Sequence, residues 1–491
     1  MKTRTAVALC LTVTTAVAGE SDPPPTPTPF VLPSIVVTGR KETEPFVSSI
    51  PEEVEDRMRR VPGGVDLVGN DSFRKGRASN FEELLRRSPG VYLQANNGTE
   101  SSKISIRGSG IQSEDTLGVQ FLLDGLSYNE ADGEALLEDF ELSSAKYVEV
   151  YRGANALRYG GLALGGAVNF VPFTGHDASP LSVRLELGSY DYVRAELMTG
   201  HAAGRRDYFA ALSGRYSEGF REHSRENNQK FFGNLGHRFN DLVDTRFYLT
   251  LTRLDRDLPA FLEKSELQAD PRRAGDDAEE QDFNLAWEMV RLANKTRFDN
   301  GMVRASIGGF WAHRDLRERG FFEDDFREGI LEFYSDNMGL VLDFQMEHEL
   351  FGRRNIVTLG ANPTYEAETF EHHENLMGSR GLQTAAGFNE AINAPFYLEN
   401  QHYLIEELSL ITGLQLAFVR RDFEDRVLAD VVGLVGFLHV ERMAVGVGVD
   451  GHRLDAQFGA GAHDADGDLA PVGDQYFFKH ERDKSCGGWG F

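Results

Sequence analysis

Residues 148–170 read VEVYRGANALRYGGLALGGAVNF, two β-prone runs, VEVY and AVNF, on either side of a segment dense in glycine and alanine. The spacing predicts a strand, a tight turn and a second strand. Small residues from Gly160 to Gly166 let one backbone lie directly on another, as a chain packed inside something else requires. Glu149 and Arg152 sit in the first run, and burying either calls for a partner.

Moving toward the N-terminus, NFEELLRR at 80–87 is a short amphipathic helix with Asn80 as its N-cap, stopped by Ser88-Pro89-Gly90. β-type runs at 91–94, 103–107 and 119–124 alternate with polar loops at 95–102, 108–118 and 127–135, which predicts a small sheet with three projecting loops. Further upstream, GESDPPPTPTPFVLPS (19–34) cannot form a helix and favours extended polyproline backbone. At its end Ile35, Val36, Val37, Thr38 and Gly39 make a β-prone pentapeptide suited to joining the edge of a partner's sheet. Residues 1–18 read as a secretory signal: Lys2 and Arg4, an apolar run, then small residues before Gly19. Cleavage there removes Cys10 and leaves Cys486, so no internal disulfide is expected.

Downstream of Phe173 the pattern becomes period two: Val183, Leu185 and Leu187 alternate with Ser182, Arg184 and Glu186. A strand between lipid and a polar interior needs that alternation. Eleven such strands are readable, at 181–188, 192–200, 207–218, 228–239, 244–257, 281–297, 301–316, 331–350, 354–370, 391–402 and 405–423. Turns at 188–191 and 352–354 are short, whereas 259–280 and 371–390 read as long loops. No run of about 18 apolar residues offers a spanning helix, and a mean hydropathy of -0.37 still suits a barrel, because only alternate residues face lipid. The net charge of -26 argues against a nucleic-acid binder, which needs a basic excess.

LLRRSPGVYLQ, ISIRG, FLLDGLSY and the 148–170 stretch, in this order and preceded by IVVTG, resemble the plug domain and TonB box of TonB-dependent outer-membrane receptors. The resemblance implies an all-β membrane protein whose N-terminal α+β plug sits inside a transmembrane antiparallel β-barrel of about 22 strands. It divides the chain into a signal (1–18), a periplasmic leader with the TonB box (19–59), a plug (60–175), a partial barrel (176–426) and an atypical segment (427–491). Because 427–491 loses the alternation, the expectation is a receptor cut short, that last part being read in a shifted frame.

By the same resemblance, Ile35 to Gly39 bind TonB. Gln94, Asn96, Asn97, Gln112, Ser113, Glu114, Tyr128 and Asn129 lie at outward plug loops that bind a ferric siderophore or ferric citrate, and iron enters only as part of that chelate, with no resident cofactor or metal. Arg107, Glu149 and Arg152 latch the plug against barrel glutamates. The function implied is energy-coupled uptake by a monomer embedded in outer-membrane lipid. Haem or cobalamin uptake, and a non-transporting remnant or surface-binding protein, are the alternatives. Only 16 residues separate Ala18 from Ile35, too few for a signalling domain.

Other motifs carry less. His372 and His373 are adjacent, so on a strand they face opposite ways and do not share an ion; a solvated loop is the expectation. Asp464-Ala-Asp466-Gly467-Asp468 resembles half a calcium loop without its closing glutamate. The paired glycines at 160–161 and 165–166 lack the Gly-Lys-Ser/Thr of a phosphate cradle, and no catalytic triad or His-Glu-x-x-His stands out, so no enzymatic activity is expected.

Overall fold

The computed structural model describes residues 51–59, 61, 64–74, 80–95, 100–109, 116–160, 163–322, 327–405, 408–423, 426–440 and 443–449. The signal, the leader with Ile35 to Gly39, the loop residues Asn96, Asn97, Gln112, Ser113 and Glu114, and positions 450–491 lie outside the described residues.

The N-terminal part is a mixed α/β unit. Helix α1 (Glu52–Arg59) precedes β1 (Val65–Gly69), α2 (Asn70–Arg74), α3 (Phe81–Leu85), β2 (Val91–Ala95), β3 (Ser102–Ile106), β4 (Val119–Leu123), β5 (Leu126–Ser127), β6 (Ala145–Arg152) and β7 (Gly166–Pro172). Five strands make one sheet in the order β1-β6-β7-β4-β5, while β2 and β3 pair separately. Asn80 caps α3 as its sequence position predicts, its Oδ1 accepting from the Glu83 amide at 2.9 Å. That helix sends Phe81 into an aromatic cluster, with ring centroids 5.9 Å from Phe121, 5.7 Å from Phe140 and 5.5 Å from Phe170. Edge-on contacts of this kind add to the burial of the rings. Helix α1, from the segment expected as leader, packs with the plug: its Met58 is buried in a cluster with Leu122, Tyr151 and Ala167.

The 148–170 stretch forms the β6–β7 pair, with Val148 opposite Phe170 and Arg152 opposite Gly166. The link is not the expected tight turn: Gly153–Tyr159 form a 3-10 helix. The glycines do bring backbones together. A Cβ on Gly166 would sit 2.1 Å from the Tyr151 carbonyl oxygen, and one on Gly165 would sit 2.7 Å from that of Ile106. Gly166→Ala is therefore expected to destabilise the plug by roughly 1–3 kcal/mol or more, read as a lower unfolding temperature in detergent. An unchanged transition would mean that the pair can part without loss.

From Ser182 onward a single antiparallel sheet forms the wall. Its strands are β8 (Ser182–Leu187), β9 (Val193–Ala203), β10 (Arg206–Ser217), β11 (Glu226–Arg238), β12 (Val243–Asp257), β13 (Asn284–Asp299) and β14 (Val303–Phe322). They continue as β15 (Arg327–Leu350), β16 (Arg353–Ala361), β17 (Thr364–Leu376), β18 (Ser379–Ile405), β19 (Leu408–Phe423), β20 (Arg426–Val440) and β21 (Met443–Val449). Strands β16 and β17 are two halves of one stave. Leu342 pairs with Ala361 and Gly339 with Thr364 in a continuous register, broken only at Asn362-Pro363, where proline has no N–H to give the ladder. Among the described residues the fourteen strands thus fill thirteen positions, rather than eleven.

The two additional strands are β20 and β21, in the segment expected to be atypical. An apolar run rich in valine and glycine can pair through its backbone without alternating polarity, so periodicity does not reveal it. The region 371–390 is likewise not a loop: β17 and β18 run on as a tall hairpin, turning at Met377-Gly378, with register shifts around His373. Outward positions are apolar, Val183, Leu185 and Leu187 being 70%, 64% and 73% exposed, while the alternate inward positions carry charge. Among the described residues no helix is long and apolar enough to cross a membrane.

Candidate functional site

The plug meets the wall along a charged seam. The connection from Leu126 to Ala145 carries Glu130, Asp132, Glu134, Glu138, Asp139 and Glu141 within twelve residues, and the inward positions of the wall answer with cations. Asp139, fully buried, accepts from Trp287 Nε1 at 2.9 Å and from Arg314 Nη2 at 2.7 Å. Arg314 also pairs with Glu130. Glu138 lies 3.4 Å from Arg256, and Glu141 lies 3.4 Å from Arg194 and accepts from Ser213. Glu100 binds Lys230 Nζ at 2.6 Å. Although burial opposes its ionisation, Arg215 and Lys230 hold the Glu100 carboxyl below its usual range. Two ties run the other way: Arg74 to Glu196 at 2.9 Å and Arg158 to Glu399 at 3.0 Å.

Polar backbone is satisfied across the same seam. Arg291 donates to the Ser127 carbonyl at 2.6 Å while its guanidinium lies 4.1 Å from the Phe310 ring centroid, and Gln415 donates to the Leu157 carbonyl at 2.8 Å. Buried charges paired in this way specify a position but add little net stability. The plug also shares a buried apolar cluster with the wall, in which Phe81, Phe121 and Phe170 are continuous with Met198, Phe209, Phe232, Trp287 and Phe310.

The residues expected from the sequence fall differently. Glu149, 2% exposed, pairs with Arg57 of α1 and accepts from Tyr151 Oη at 3.0 Å and Asn169 Nδ2 at 2.9 Å. Arg152 donates to the carbonyls of Pro89 and Val65, the latter at 3.0 Å. For Glu149 the named partners are all in the plug rather than barrel groups: β6 lies between β1 and β7 inside the plug sheet. Arg107 is exposed and lies over plug backbone; a Cβ on Gly153 would be 2.5 Å from its Nη1.

Among the expected ligand contacts, Gln94 is exposed at the end of β2. Asn129 and Tyr128 are buried. Asn129 Oδ1 accepts from the Phe121 amide at 2.6 Å, and its Nδ2 donates to the carbonyls of Val119 at 3.0 Å and Gly133 at 2.8 Å, which sets the shape of the loop. Tyr128 stacks on Phe140 with ring centroids 4.0 Å apart. The sequence reading has this loop projecting outward as a ligand contact. The missed signal is its density of carboxylates, matched by arginines at inward, period-two positions of the wall.

Residues 57–167 match the family model described as the TonB-dependent receptor plug domain. Solved structures share the fold: the ferric citrate transporter FecA in its unliganded form superposes with a TM-score of 0.65 at 18% identity, covering 79% of this chain and 62% of that one. Residues 57–167 thus carry a plug domain of the TonB-dependent receptor kind. BauA, the ferric preacinetobactin receptor of Acinetobacter baumannii, superposes with a TM-score of 0.61 at 12% identity over 77% of this chain and 62% of its own. In sequence, this chain is 27% identical over 166 residues to the vitamin B12 transporter BtuB of Vibrio cholerae, an alignment covering 33% of this chain and 26% of that protein. The chain thus spans less than two thirds of the length of each of these three proteins.

Proposed function

We propose that this receptor takes up a ferric chelate, of the siderophore or citrate kind, across the outer membrane with energy supplied through TonB. The observation that carries this reading is the plug seated against the inner face of the wall by paired charges, such as Asp139 with Arg314 and Glu141 with Arg194. In this reading Ile35, Val36, Val37, Thr38 and Gly39 add a strand to TonB. Gln94, Asn96, Asn97, Gln112, Ser113 and Glu114 present amides, a hydroxyl and a carboxylate to the oxygen-rich chelate, while Tyr128 and Asn129 hold their loop in shape. Arg57 and Glu149 couple the leader to the plug sheet: a pull on the leader reaches Glu149 before any wall contact. No covalent step is performed on the cargo.

A second reading, cobalamin uptake, is favoured by the likeness to the Vibrio cholerae transporter over the part that aligns. Titrating the full chain in detergent with ferric citrate, ferric siderophores of several classes and cyanocobalamin, followed by tryptophan fluorescence, separates the two. Saturable binding of an iron chelate alone is the expected result. Binding of cyanocobalamin alone selects the second reading, and binding of none overturns both.

A further inference from the structure

We propose that Glu130 and Asp132 of the plug, Glu366 of β17 and the side-chain oxygen of Asn337 in β15 form a binding site for a hard divalent cation, calcium above all, that ties the plug to the wall. Carboxylate oxygens of Glu130, Asp132 and Glu366 come within 4.8 Å of one another. Glu366 is buried, and its Oε2 accepts from the Asp132 amide at 3.2 Å, which brings the plug loop onto the strand. A fourth carboxylate, Glu368, and the neighbouring Asp139 add to the negative field, against the guanidiniums of Arg314 and Arg421.

A carboxylate cluster alone would not identify a ligand, but Asn337 adds an independent sign. It is 3% exposed and stands directly opposite Glu366 in the β15–β17 register. Its Nδ2 donates at 3.3 Å to the carbonyl of Asn129, the residue before Glu130, so the amide sits between Glu366 and the plug loop that carries the other two carboxylates. Among the described residues that buried Oδ1 has no hydrogen-bond donor. An amide oxygen placed among carboxylates is repelled by them unless a proton or a cation lies between. Carboxylate and amide oxygens together are the donor set that calcium takes, with the tolerance of irregular geometry that magnesium lacks. The other acidic group, Glu332, Glu371 and His373, differs: Arg317 and Arg380 already neutralise Glu332, so a cation gains little there.

The test uses the full chain in detergent, stripped with a chelator and then titrated with calcium chloride at neutral pH and moderate salt by equilibrium dialysis. One saturable site per chain is expected in the parent. Glu366→Gln and Asp132→Asn should each weaken it by at least the roughly 10–100-fold that even outer-shell changes cost, and Asn337→Asp should preserve or tighten it. Asp270→Asn, in an exposed loop, should leave it unchanged. Asp132 lies in a loop, so its variant remains informative should Glu366→Gln fold poorly. Absence of saturable calcium binding in the parent, or binding undiminished in the folded acid variants, overturns the proposal; the latter assigns the calcium to surface carboxylates, and the former leaves the cluster to protons.

Discussion

Val37→Pro is expected to abolish uptake of the transported chelate while leaving its binding to the purified receptor unchanged. The leader pairs with TonB through its backbone in the function proposed above, and proline deletes one N–H from that shared strand and fixes φ. In that same proposal the ligand is held by plug loops far along the chain, so its equilibrium affinity should not depend on residue 37. Val37→Ala is the companion variant: it keeps the N–H, loses only methyl contacts, and should retain most transport. Uptake of the radiolabelled chelate by cells, measured beside binding in detergent, reads both quantities. Equal uptake by Val37→Pro and the parent would overturn the assignment of Ile35 to Gly39, whereas equal losses in both variants would mean that the valine side chain, rather than the backbone, is recognised.

The plug was legible because its signals are local. Asn80 stands where a cap belongs, the β-type runs at 91–94, 103–107 and 119–124 coincide with β2, β3 and β4, and the glycines at 165 and 166 sit where backbones touch. The wall was legible wherever lipid faces one side and charge the other, as in β8 and β9. Legibility failed where the determining fact is not local. The division of one stave at Asn362-Pro363 leaves the register unchanged on both sides, which only the pairing partners reveal. Strands β20 and β21 lack polar alternation and are defined by their backbone ladder. The seam was misassigned for the same reason: whether Glu149 faces the wall or a neighbouring plug strand depends on the sheet order, in which β6 is flanked by β1 and β7. The acidic run at 130–141 was visible as composition, but its partners lie on strands more than fifty residues away, and only the folded chain brings Arg194, Arg256 and Arg314 to it.

That seam makes Asp139 the wall contact with the most to lose. Its carboxylate is fully buried and holds both Arg314 and Trp287, so Asp139→Ala removes two bonds and leaves a guanidinium, 11% exposed, with Glu130 as its remaining described partner. Breaking one side of a buried ion pair typically costs about 3–5 kcal/mol, more than the intact pair contributes, because the surviving charge keeps its desolvation penalty. A clear fall in unfolding temperature is therefore expected. Cells producing the variant should also become sensitive to bulky antibiotics that the seated plug excludes. Two comparisons isolate the cause. Asp139→Asn keeps an acceptor for the indole and loses only the charge, so its cost should be smaller. Trp287→Phe removes one neutral donor, worth roughly 0.5–1.5 kcal/mol, and leaves the ion pair in place. The expected order of damage is alanine, then asparagine, then the phenylalanine variant. If Asp139→Ala is as stable and as impermeable as the parent, the charged seam is not what seats the plug, and its fixation comes instead from the apolar cluster the plug shares with the wall and from the backbone contacts that Arg291 and Gln415 make with the loops at Ser127 and Leu157.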